Sequence, residues 1–476
     1  MKRTALLLTL FAILATAPAH GASRLVVKGA GFGHGVGMSQ YGAFGFAEKG
    51  ADHGQILRHY YTGTQIGRLD GSGSQVRVLL KTATRIVFTN AASVAGERRL
   101  DRRKRYYATR GLSGAVTLRS ASGRRLGSYS SPLTITGASG GIQINGRSGH
   151  AADDGRYRGN LQIRSSSLGG VSAINALALD DYIRGVVAGE MPSGWPQAAL
   201  RAQAVAARTY ALATSKNGDG FDQYADTRSQ VYNGIAGETA PTDEAVAATA
   251  GEVVSFEGKP IVTYYFSTSG GRTEDVENVF LGAAPAPYLR SVEDPYDEVS
   301  PRHRWTRRMS LRSAQRRLGR LVKGQLRRIK VLRRGRSPRV VRAQIVGSRG
   351  RTKVSGPTLR TKLGLYDTWA RFTVITASAK RGDGNAPKSP AAPTGGAAPQ
   401  LARAASAGAG VATLTGRVDP ATPRSFVTVQ RRSGSRWVTR FEVPVGSSGR
   451  YAARLRLRGL FRVVYDGVAG PSVRVR

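Results

Sequence analysis

The sequence predicts an α+β fold with a mixed core, a linker and a small C-terminal β module. Two helical patterns follow one another between Leu177 and Tyr210. Short segments of alternating polar and apolar residues fill positions 75–174 and return at regular spacing in 409–476. Between them, residues 379–408 are rich in Ala, Pro, Gly and Ser, which is typical of a disordered linker. We therefore expect a core over residues 23–378 and a β-sandwich-like module at the end of the chain.

The start of the chain predicts export. Residues 1–22 combine a basic start at Lys2 and Arg3, an apolar run over 6–14 and small residues suited to cleavage. No other segment is apolar enough to span a bilayer. The 476 residues include no cysteine, which excludes a disulfide framework and a thiolate nucleophile. We expect a protein that is secreted and associated with the cell wall, unless the signal stays uncleaved as an anchor.

The charge balance predicts an anionic partner. The chain has 72 Lys plus Arg against 30 Asp plus Glu, a formal net charge of +42. The export signal argues against nucleic acid and favours anionic wall polymers or lipid headgroups. Positive charge is densest over residues 302–342, which hold 17 Lys or Arg and no acidic residue. A solvated basic face of a small subdomain explains this run as well as a dedicated binding patch does.

A glycine-rich segment follows the signal and predicts a polar binding site. Residues 29–43 read GAGFGHGVGMSQYGA, in which alternating glycines allow close backbone approaches. The hydrogen-bonding side chains on this backbone suit a sugar: His34, Ser39, Gln40 and Tyr41. Helices are expected over 38–49 and 56–61. His34, His53 and His59 could meet at a metal ion, but their irregular spacing does not favour a site.

Glu190 is the strongest candidate for chemistry. Asp180 is a good N-cap residue for the first helical pattern, and the apolar face that follows continues to Glu190. Because Pro192 cannot extend the helix, Glu190 lies in its last turn. Burial and the negative helix end both oppose ionisation, so the pKa of Glu190 should be raised and its acid form should persist toward neutral pH. An ordinary pair of core helices with a solvated glutamate at the turn is the alternative.

Further candidates follow in the next part of the chain. Pro196 suits the first position of the second helix, on which Gln203 and Arg208 share a side. Beyond it we expect a helix over 242–250 and a strand pair over 251–256 and 261–266. A glycine- and hydroxyl-rich loop begins at Ser267, where strand ends present donors to a ligand. Either a structural turn or a binding loop explains that segment.

Several segments of the sequence resemble a known protein family. The strings LDDYIRGVVAGEMPSGWPQAALRAQAVAARTYAL, DTRSQVYNG and YYFSTSGGRTEDVENVF look like the stage II sporulation protein D / LytB (SpoIID) domain. GFGHGVGMSQYGA with ILRHYYTGT resembles the family's other signature. The resemblance covers residues 35–66 and 175–374 and implies a SpoIID-type catalytic core with the β-rich scaffold at 75–174 inserted. It also implies action on peptidoglycan, since sporulation members are lytic transglycosylases and LytB members enhance an amidase.

The order of the two signatures departs from the family pattern. The GHGVGMSQYGA segment normally follows strands that resemble residues 355–374, but here it stands at the N-terminus, as in a circular permutation. If the fold is retained, residues 24–66 must pack beside 366–374 and complete the cleft from the far end of the chain. The missing cysteines, which some members use around a metal, argue against zinc.

The resemblance assigns roles to individual residues. Glu190 in the EMP string matches the catalytic glutamate, and one acid/base suffices for a lytic transglycosylase that cleaves MurNAc–GlcNAc bonds. Asp226 is the best candidate for a second carboxylate, which would favour hydrolysis. No cofactor or metal is expected; the expected partners are glycan strands, with anionic wall polymers and a wall amidase as further ones. A non-catalytic, wall-binding amidase enhancer is the alternative function. The residues expected to position glycan are His34, Ser39, Gln40, Tyr41, Gln203, Arg208, Tyr210, Asp226, Gln230, Tyr232, Ser267 and Ser269.

Overall fold

The computed structural model describes residues 22–69, 74–145, 155–166, 169–215, 220–381 and 412–475. The predicted signal peptide up to residue 21 and the predicted linker from residue 382 onward lie outside the described residues. Helices and strands are both abundant, so the predicted α+β class is confirmed. Across the described part of the chain, no helix combines the length and the apolar character needed to cross a membrane.

The N-terminal segment forms one long strand, two short helices and two short strands. Ser39 begins the first helix by accepting a hydrogen bond from the Gly42 N–H (3.1 Å). Asp52 and Gln55 form a capping box at the second, which therefore begins earlier than its apolar pattern predicts. The elements are β1 (Ala22–Ala30), β2 (Met38–Ser39), α1 (Gln40–Glu48), α2 (His53–Tyr60) and β3 (Gln65–Arg68).

The predicted scaffold consists of strands in two antiparallel-rich sheets. The first sheet has the order β4-β15-β14-β11-β6-β7, extended beside β4 by a two-residue strand at Gln223–Tyr224, and the second has the order β10-β9-β8-β5-β12-β13. Alternate apolar side chains of both sheets are buried in one cluster with the helices that follow. The strands are β4 (Gln75–Ala83), β5 (Arg85–Thr89), β6 (Ala91–Val94), β7 (Arg98–Arg99), β8 (Tyr106–Arg110), β9 (Val116–Ser120), β10 (Arg125–Tyr129), β11 (Leu133–Gly137), β12 (Ile142–Ile144), β13 (Arg156–Tyr157), β14 (Asn160–Ser165) and β15 (Val171–Ala178).

The next region contains the two predicted central helices. The apolar pattern of the first is buried as expected, but the residue at its cap position is Ala178, so the prediction that Asp180 is the N-cap is wrong. The strand predicted over 261–266 is also wrong in its extent, because only Tyr265–Phe266 forms a strand, and it pairs with β2. The elements are α3 (Leu179–Glu190), α4 (Gln197–Ala213), β16 (Gln223–Tyr224), α5 (Ala240–Ala248), β17 (Glu252–Phe256), β18 (Lys259–Pro260), β19 (Tyr265–Phe266) and α6 (Val276–Val279).

The basic run at 302–342 lies in a subdomain of strands and two capped helices. Ser310 and Ser355 each cap a helix through the side-chain hydroxyl. The elements are β20 (Arg304–Ser310), α7 (Leu311–Leu318), β21 (Leu326–Arg334), β22 (Val340–Gly347), β23 (Arg351–Ser355), α8 (Gly356–Leu363) and β24 (Ala370–Arg381).

The two ends of the core meet in one sheet. β1 pairs antiparallel with β24 over eight residue pairs, from Ala22–Ala377 to Gly29–Ala370, and with β20 on its other side. Residues at the start of the described chain therefore lie beside 370–377, as the permuted signature requires. The pairing of β1 with β24 holds the N-terminal signature in place. The backbone hydrogen bonds between two strands are the same whichever strand comes first in the chain.

The C-terminal module continues the same sheet. Its first strand pairs with β24 from Val374–Asp419 to Arg381–Ala412, so β24 extends three residues into the predicted linker that starts at Ala379. Alternate residues of β1 divide between two cores: Val26 packs with the module, whereas Leu25 and Val27 pack with the subdomain of α7 and α8. The strands are β25 (Ala412–Asp419), β26 (Phe426–Ser433), β27 (Arg436–Pro444), β28 (Arg450–Leu455), β29 (Gly459–Tyr465) and β30 (Val468–Val475).

Candidate functional site

Glu190 is the last residue of α3, where the helix stops before Pro192. The apolar side chains that precede it on this face are buried, whereas Glu190 itself is only partly buried. The backbone turns to an extended conformation at Met191, so the carboxyl group stands at the negative end of the helix. This position leaves a carboxyl that a ligand can reach, in surroundings that disfavour its ionised form.

The N-terminal signature and the segment after β16 both donate hydrogen bonds to Glu190. Its Oε1 accepts from the Val231 N–H (2.9 Å), and its Oε2 accepts from Gln40 Nε2 (3.4 Å). The same Gln40 nitrogen donates to the Glu190 carbonyl oxygen (3.2 Å) and to Gln203 Oε1 (3.4 Å). The displaced N-terminal signature, the end of α3, the middle of α4 and the segment after β16 therefore converge on one carboxyl group.

Burial raises the pKa of Glu190, as the sequence predicts. The hydrogen bonds from Val231 and Gln40, and one that joins the carboxyl to the Tyr265 side chain, favour the charged form and oppose the rise. No carboxylate is among the described groups that shift this pKa. Burial therefore favours the protonated form of Glu190, and no described carboxylate contributes to this shift.

A chain of polar side chains continues behind Glu190. The Tyr265 hydroxyl donates to Gln230 Oε1 (2.8 Å), and Gln230 Nε2 donates to the Tyr182 hydroxyl (3.2 Å). A hydrogen bond also joins the Tyr265 side chain to the Glu190 carboxyl and favours its charged form. Tyr210 lies beside the same group, with its ring centroid 6.4 Å from that of Tyr265. This chain of neutral side chains orients the carboxyl.

An aromatic surface lies on the outer side of the site. The ring centroids of Tyr41 and Trp195 are 4.9 Å apart, and those of Phe44 and Trp195 are 5.1 Å apart. All three rings are partly buried, and Trp195 follows Glu190 by only five residues. The sequence indicated Tyr41 but not Phe44 or Trp195, although Trp195 lies within one of the strings that carry the resemblance and Phe44 directly follows another.

The glycine-rich signature allows the close contacts that bring Gln40 into place. Gly37 has a positive φ of 72°, and a Cβ there would lie 2.0 Å from the Tyr264 carbonyl oxygen. A Cβ on Gly35 would lie 2.3 Å from Arg339 Nε. Next to these glycines, β2 pairs parallel with β19, with Met38 opposite Tyr265. The same strand pair therefore places Gln40 and the Tyr265 hydroxyl around Glu190.

The predicted residue His34 supports this strand pair without contacting Glu190. Its ring is packed among Tyr264, Phe266 and Phe280, and its Nδ1 accepts from the Val36 N–H (3.1 Å). Burial, assisted by nearby arginine charge, lowers the pKa of His34 to about 3. The imidazole is therefore neutral and holds the backbone in place.

The three predicted serines are structural in the same way. Ser39 Oγ caps α1 and accepts from the Ser269 N–H (3.2 Å). Ser269 Oγ donates to Asp297 Oδ2 (3.0 Å), and the Ser267 carbonyl accepts from the Tyr41 N–H (3.0 Å). These bonds join the N-terminal signature to the loop after β19, so the serines position Gln40 and Tyr41 while their own hydroxyls are used within the protein.

Two predicted binding residues lie in the core instead. Arg208 is fully buried and pairs with Asp180 (Nε–Oδ1, 2.8 Å), and it also donates to the carbonyls of Glu252 and Val246. The Tyr232 hydroxyl donates to Asn175 Oδ1 (2.8 Å) in an equally buried position. Helical periodicity placed Arg208 on the correct helix and the family motif indicated Tyr232, but a buried polar residue and a binding residue look alike in sequence.

Asp226 does not join Glu190 in a carboxylate pair. Both of its oxygens bind Arg228, with Oδ2 2.7 Å from Nη2, and the Arg228 guanidinium also stacks on Tyr224 (3.9 Å).

The three histidines considered for a metal also lie apart: His53 pairs with Glu252 (2.9 Å), and His59 bonds the Glu293 carbonyl (2.8 Å). No group of three metal-ligating side chains is found in the described ranges.

The fold and the site define a class of protein: an α+β core whose candidate chemistry depends on one glutamate at a helix end. The family model described as Stage II sporulation protein (SpoIID) matches residues 167–256, which include α3, α4 and Val231. The chain belongs to the SpoIID family. The matched region does not include the N-terminal signature, which the structure brings to Glu190 through Gln40.

Curated relatives agree with this family. The chain is 34% identical over 210 residues to stage II sporulation protein D of Bacillus amyloliquefaciens, covering 40% of this chain and 59% of that protein. It is 31% identical over 233 residues to the protein of that name from Bacillus subtilis strain 168, covering 45% and 66%. It is also 37% identical over 128 residues to an amidase enhancer of the same strain, covering 27% and 17%. The chain thus spans less than two thirds of each of these relatives, and the family points to a cell-wall-related function.

The raised pKa of Glu190 predicts a pH-dependent stability difference. Glu190 binds its proton more tightly in the folded than in the unfolded protein, so its contribution to stability is lost as pH rises above its ordinary value of 4.5. We expect Glu190→Gln to be more stable than the wild type at pH 7, with the difference vanishing near pH 4. Urea denaturation at the two pH values measures this. Glu48→Gln, at the exposed end of α1, is the matched control and should show no such gain; a wild type as stable as Glu190→Gln at pH 7 would contradict the prediction.

Proposed function

We propose that this protein is exported and cleaves the glycan strands of peptidoglycan as a lytic transglycosylase, with Glu190 as its only acid/base. The observation that carries the proposal is the geometry around Glu190: a carboxyl with a raised pKa, hydrogen-bonded by Gln40 and Val231, and without a second carboxylate coupled to it. The family and the export signal predicted from the sequence support the substrate and the location. The aromatic surface of Tyr41, Phe44 and Trp195 supports a sugar ligand.

The reaction uses the same carboxyl twice. Protonated Glu190 donates its proton to the glycosidic oxygen between C1 of N-acetylmuramic acid and the leaving N-acetylglucosamine, and the C1–O bond breaks. The C6 hydroxyl of the same muramic acid then attacks C1, and the Glu190 carboxylate takes the hydroxyl proton. A new C1–O6 bond forms, the product ends in a 1,6-anhydro sugar, and Glu190 is protonated again.

An intramolecular nucleophile explains why one carboxyl is enough. Hydrolytic glycosidases use a second carboxylate to activate water or to form a covalent intermediate. Here the C6 hydroxyl is part of the substrate, so holding the sugar in the right conformation replaces that activation. Hydrogen bonds from Gln40 and Val231, and one with Tyr265, fix the direction of the carboxyl.

The competing function is that of a wall-binding protein that stimulates an amidase. The observation that favours it is the similarity to a protein named amidase enhancer. The purified protein is incubated with sacculi, intact or stripped of stem peptides, in the presence and absence of a wall amidase. We expect soluble anhydro-sugar products without the amidase. Binding without such products, together with faster peptide release by the amidase, would contradict transglycosylation and support the enhancer.

The aromatic surface gives a separate prediction for substrate binding. Trp195→Ala should weaken glycan binding by about 0.5–1.5 kcal/mol, roughly 2- to 12-fold in KM, because stacking against the sugar face is lost. Since Trp195 does not contact the Glu190 carboxyl, kcat should change little. Steady-state kinetics on soluble glycan chains measure both constants, and Trp195→Phe should retain most of the affinity. A loss confined to kcat would contradict a binding role for Trp195.

A further inference from the structure

A second candidate site has no lining residue from α3 or α4. A groove of about 880 Å³ opens between the central sheet, the β21 hairpin and the C-terminal module. Its floor is one face of β1 and β24, and its walls come from β21 and from residues 419–422 and 465–468 of the module. None of the residues that hold Glu190 lines it. The size falls within the range of ligand sites in proteins.

Positive charge dominates the groove. Six cationic side chains line it against two acidic ones. Both acidic residues are already paired, because Asp466 binds Lys28 and Asp419 binds Arg328. The charge of the remaining cations is therefore not balanced by a carboxylate among the described residues: Arg304, Lys330, Arg334 and Arg371.

The unbalanced cations are crowded together. Arg371 lies directly opposite Lys28 in the β1–β24 ladder, so the two side chains share the face that forms the floor. Arg334 is half-buried and donates only to the carbonyls of Pro338 and Ala370. Burial, together with the charge of Arg371, lowers the pKa of Arg334. Like charges held side by side repel one another when the groove is empty. Oxyanions bound between the cations would reduce this electrostatic repulsion.

We propose that this groove binds a linear polyol-phosphate polymer of the cell envelope, at a site separate from the glycan cleft. Guanidinium groups match the two free oxygens of a phosphodiester, which stays ionised at every relevant pH. The cations project from neighbouring strands about 4.8 Å apart, so a chain with repeated phosphates and flexible uncharged links can satisfy several of them. This proposal does not depend on the chemistry of Glu190.

The aromatic residues in the groove favour this polymer over single-stranded nucleic acid. Sites for nucleic acid combine cations with aromatic faces on which bases stack. Here Trp369 is partly buried and faces the guanidinium groups of Arg304 and Arg339, each 5.6 Å from a Trp369 ring. The Tyr465 side chain is buried, with its hydroxyl hydrogen-bonded to Thr422. The groove therefore offers charge without free stacking surfaces.

The proposal also assigns a role to the C-terminal module. The module packs against Val26 and Ile375 on the sheet face, and its Asp466 reaches Lys28, whereas Arg371 stays exposed. β1, which lines the floor, leads directly into the glycine-rich signature that contacts Glu190. A polymer held in the groove would keep the glycan cleft close to the wall.

The test is equilibrium binding of poly(glycerol phosphate) of defined length to the full chain, by calorimetry at low salt. The test variant is Lys330→Ala with Arg371→Ala, since no hydrogen bond or ion pair joins either exposed side chain to a described residue. Losing two phosphate contacts should weaken binding roughly tenfold or more and reduce its salt dependence. The matched control is Arg440→Ala with Arg456→Ala, which removes the same charge from exposed positions outside the groove and should change binding less than about twofold.

Each other outcome overturns the proposal. Equal losses in the two double variants would mean that net charge alone binds the polymer. Tighter binding of oligothymidylate or polygalacturonate in the same assay would assign the groove to nucleic acid or to a carboxylate polymer. The Lys330→Ala, Arg371→Ala variant should cleave peptide-free glycan as fast as the wild type. Polymer binding and glycan cleavage are therefore measured separately, and either proposal can fail without the other. Thermal melting confirms that all variants are folded.

Discussion

Replacing Glu190 with glutamine should reduce the release of anhydro-sugar products by about 10²–10⁴-fold, the usual contribution of a general acid–base group. Glutamine keeps the size of the side chain and can still accept from the Val231 N–H, but it has no proton to give to the leaving oxygen. The loss should therefore appear in kcat, whereas binding to sacculi should be unchanged. Product release is followed by liquid chromatography with mass detection.

Glu48→Gln is the matched control for this experiment. Glu48 is also the last residue of a helix, but it is exposed and remote from Gln203 and Val231. Its replacement should leave turnover within about twofold of the wild type, since an exposed surface substitution rarely has a larger effect. Equal turnover by Glu190→Gln and the wild type would mean that Glu190 is not the acid.

Replacing Arg339 with methionine should destabilise the folded protein by about 3–5 kcal/mol, because it leaves the Asp367 carboxylate buried without its partner. Arg339 and Asp367 are almost completely buried, and two hydrogen bonds of 3.0 and 2.9 Å join them. Arg339 also donates to the carbonyls of Ser269 (2.8 Å) and Arg272 (2.7 Å). It therefore fastens the loop after β19, and with it the N-terminal signature, to the subdomain of β22.

Urea denaturation gives the free energy of unfolding for this variant, and a second substitution separates charge burial from packing. Asp367→Leu combined with Arg339→Met removes the unpaired charge, so the double variant should recover a large part of the lost stability. A loss below about 1 kcal/mol in the single variant would contradict a buried ion pair between Arg339 and Asp367, since ion pairs on the surface have effects of that size.

The sequence predicted the centre of the site because local signals coincide there. Helix periodicity, Pro192 and the position at a helix end all point to Glu190, and the structure gives it the expected raised pKa. Gln40 could be predicted only through the family resemblance, because it lies 150 residues away in the chain. The pairing of β1 with β24 holds the N-terminal signature beside the core, where Gln40 can contact Glu190.

The errors have a common physical cause. Arg208, Tyr232 and the three serines have the residue types of binding groups, but their polar atoms satisfy buried partners that only the tertiary structure reveals. Asp180 was expected to cap α3, yet its carboxylate is used by Arg208 from the next helix. The boundary at Ala379 was also missed, since composition does not show that β24 continues to pair with the module.

The most direct test of the central claim is the fate of solvent oxygen during cleavage. The wild-type protein is incubated with peptide-stripped glycan in water enriched in oxygen-18, and the new chain ends are analysed by mass spectrometry. Attack by the C6 hydroxyl predicts 1,6-anhydro ends that carry no oxygen-18. New reducing ends in place of 1,6-anhydro ends would show that water is the nucleophile and would contradict a lytic transglycosylase with a single acid/base at Glu190.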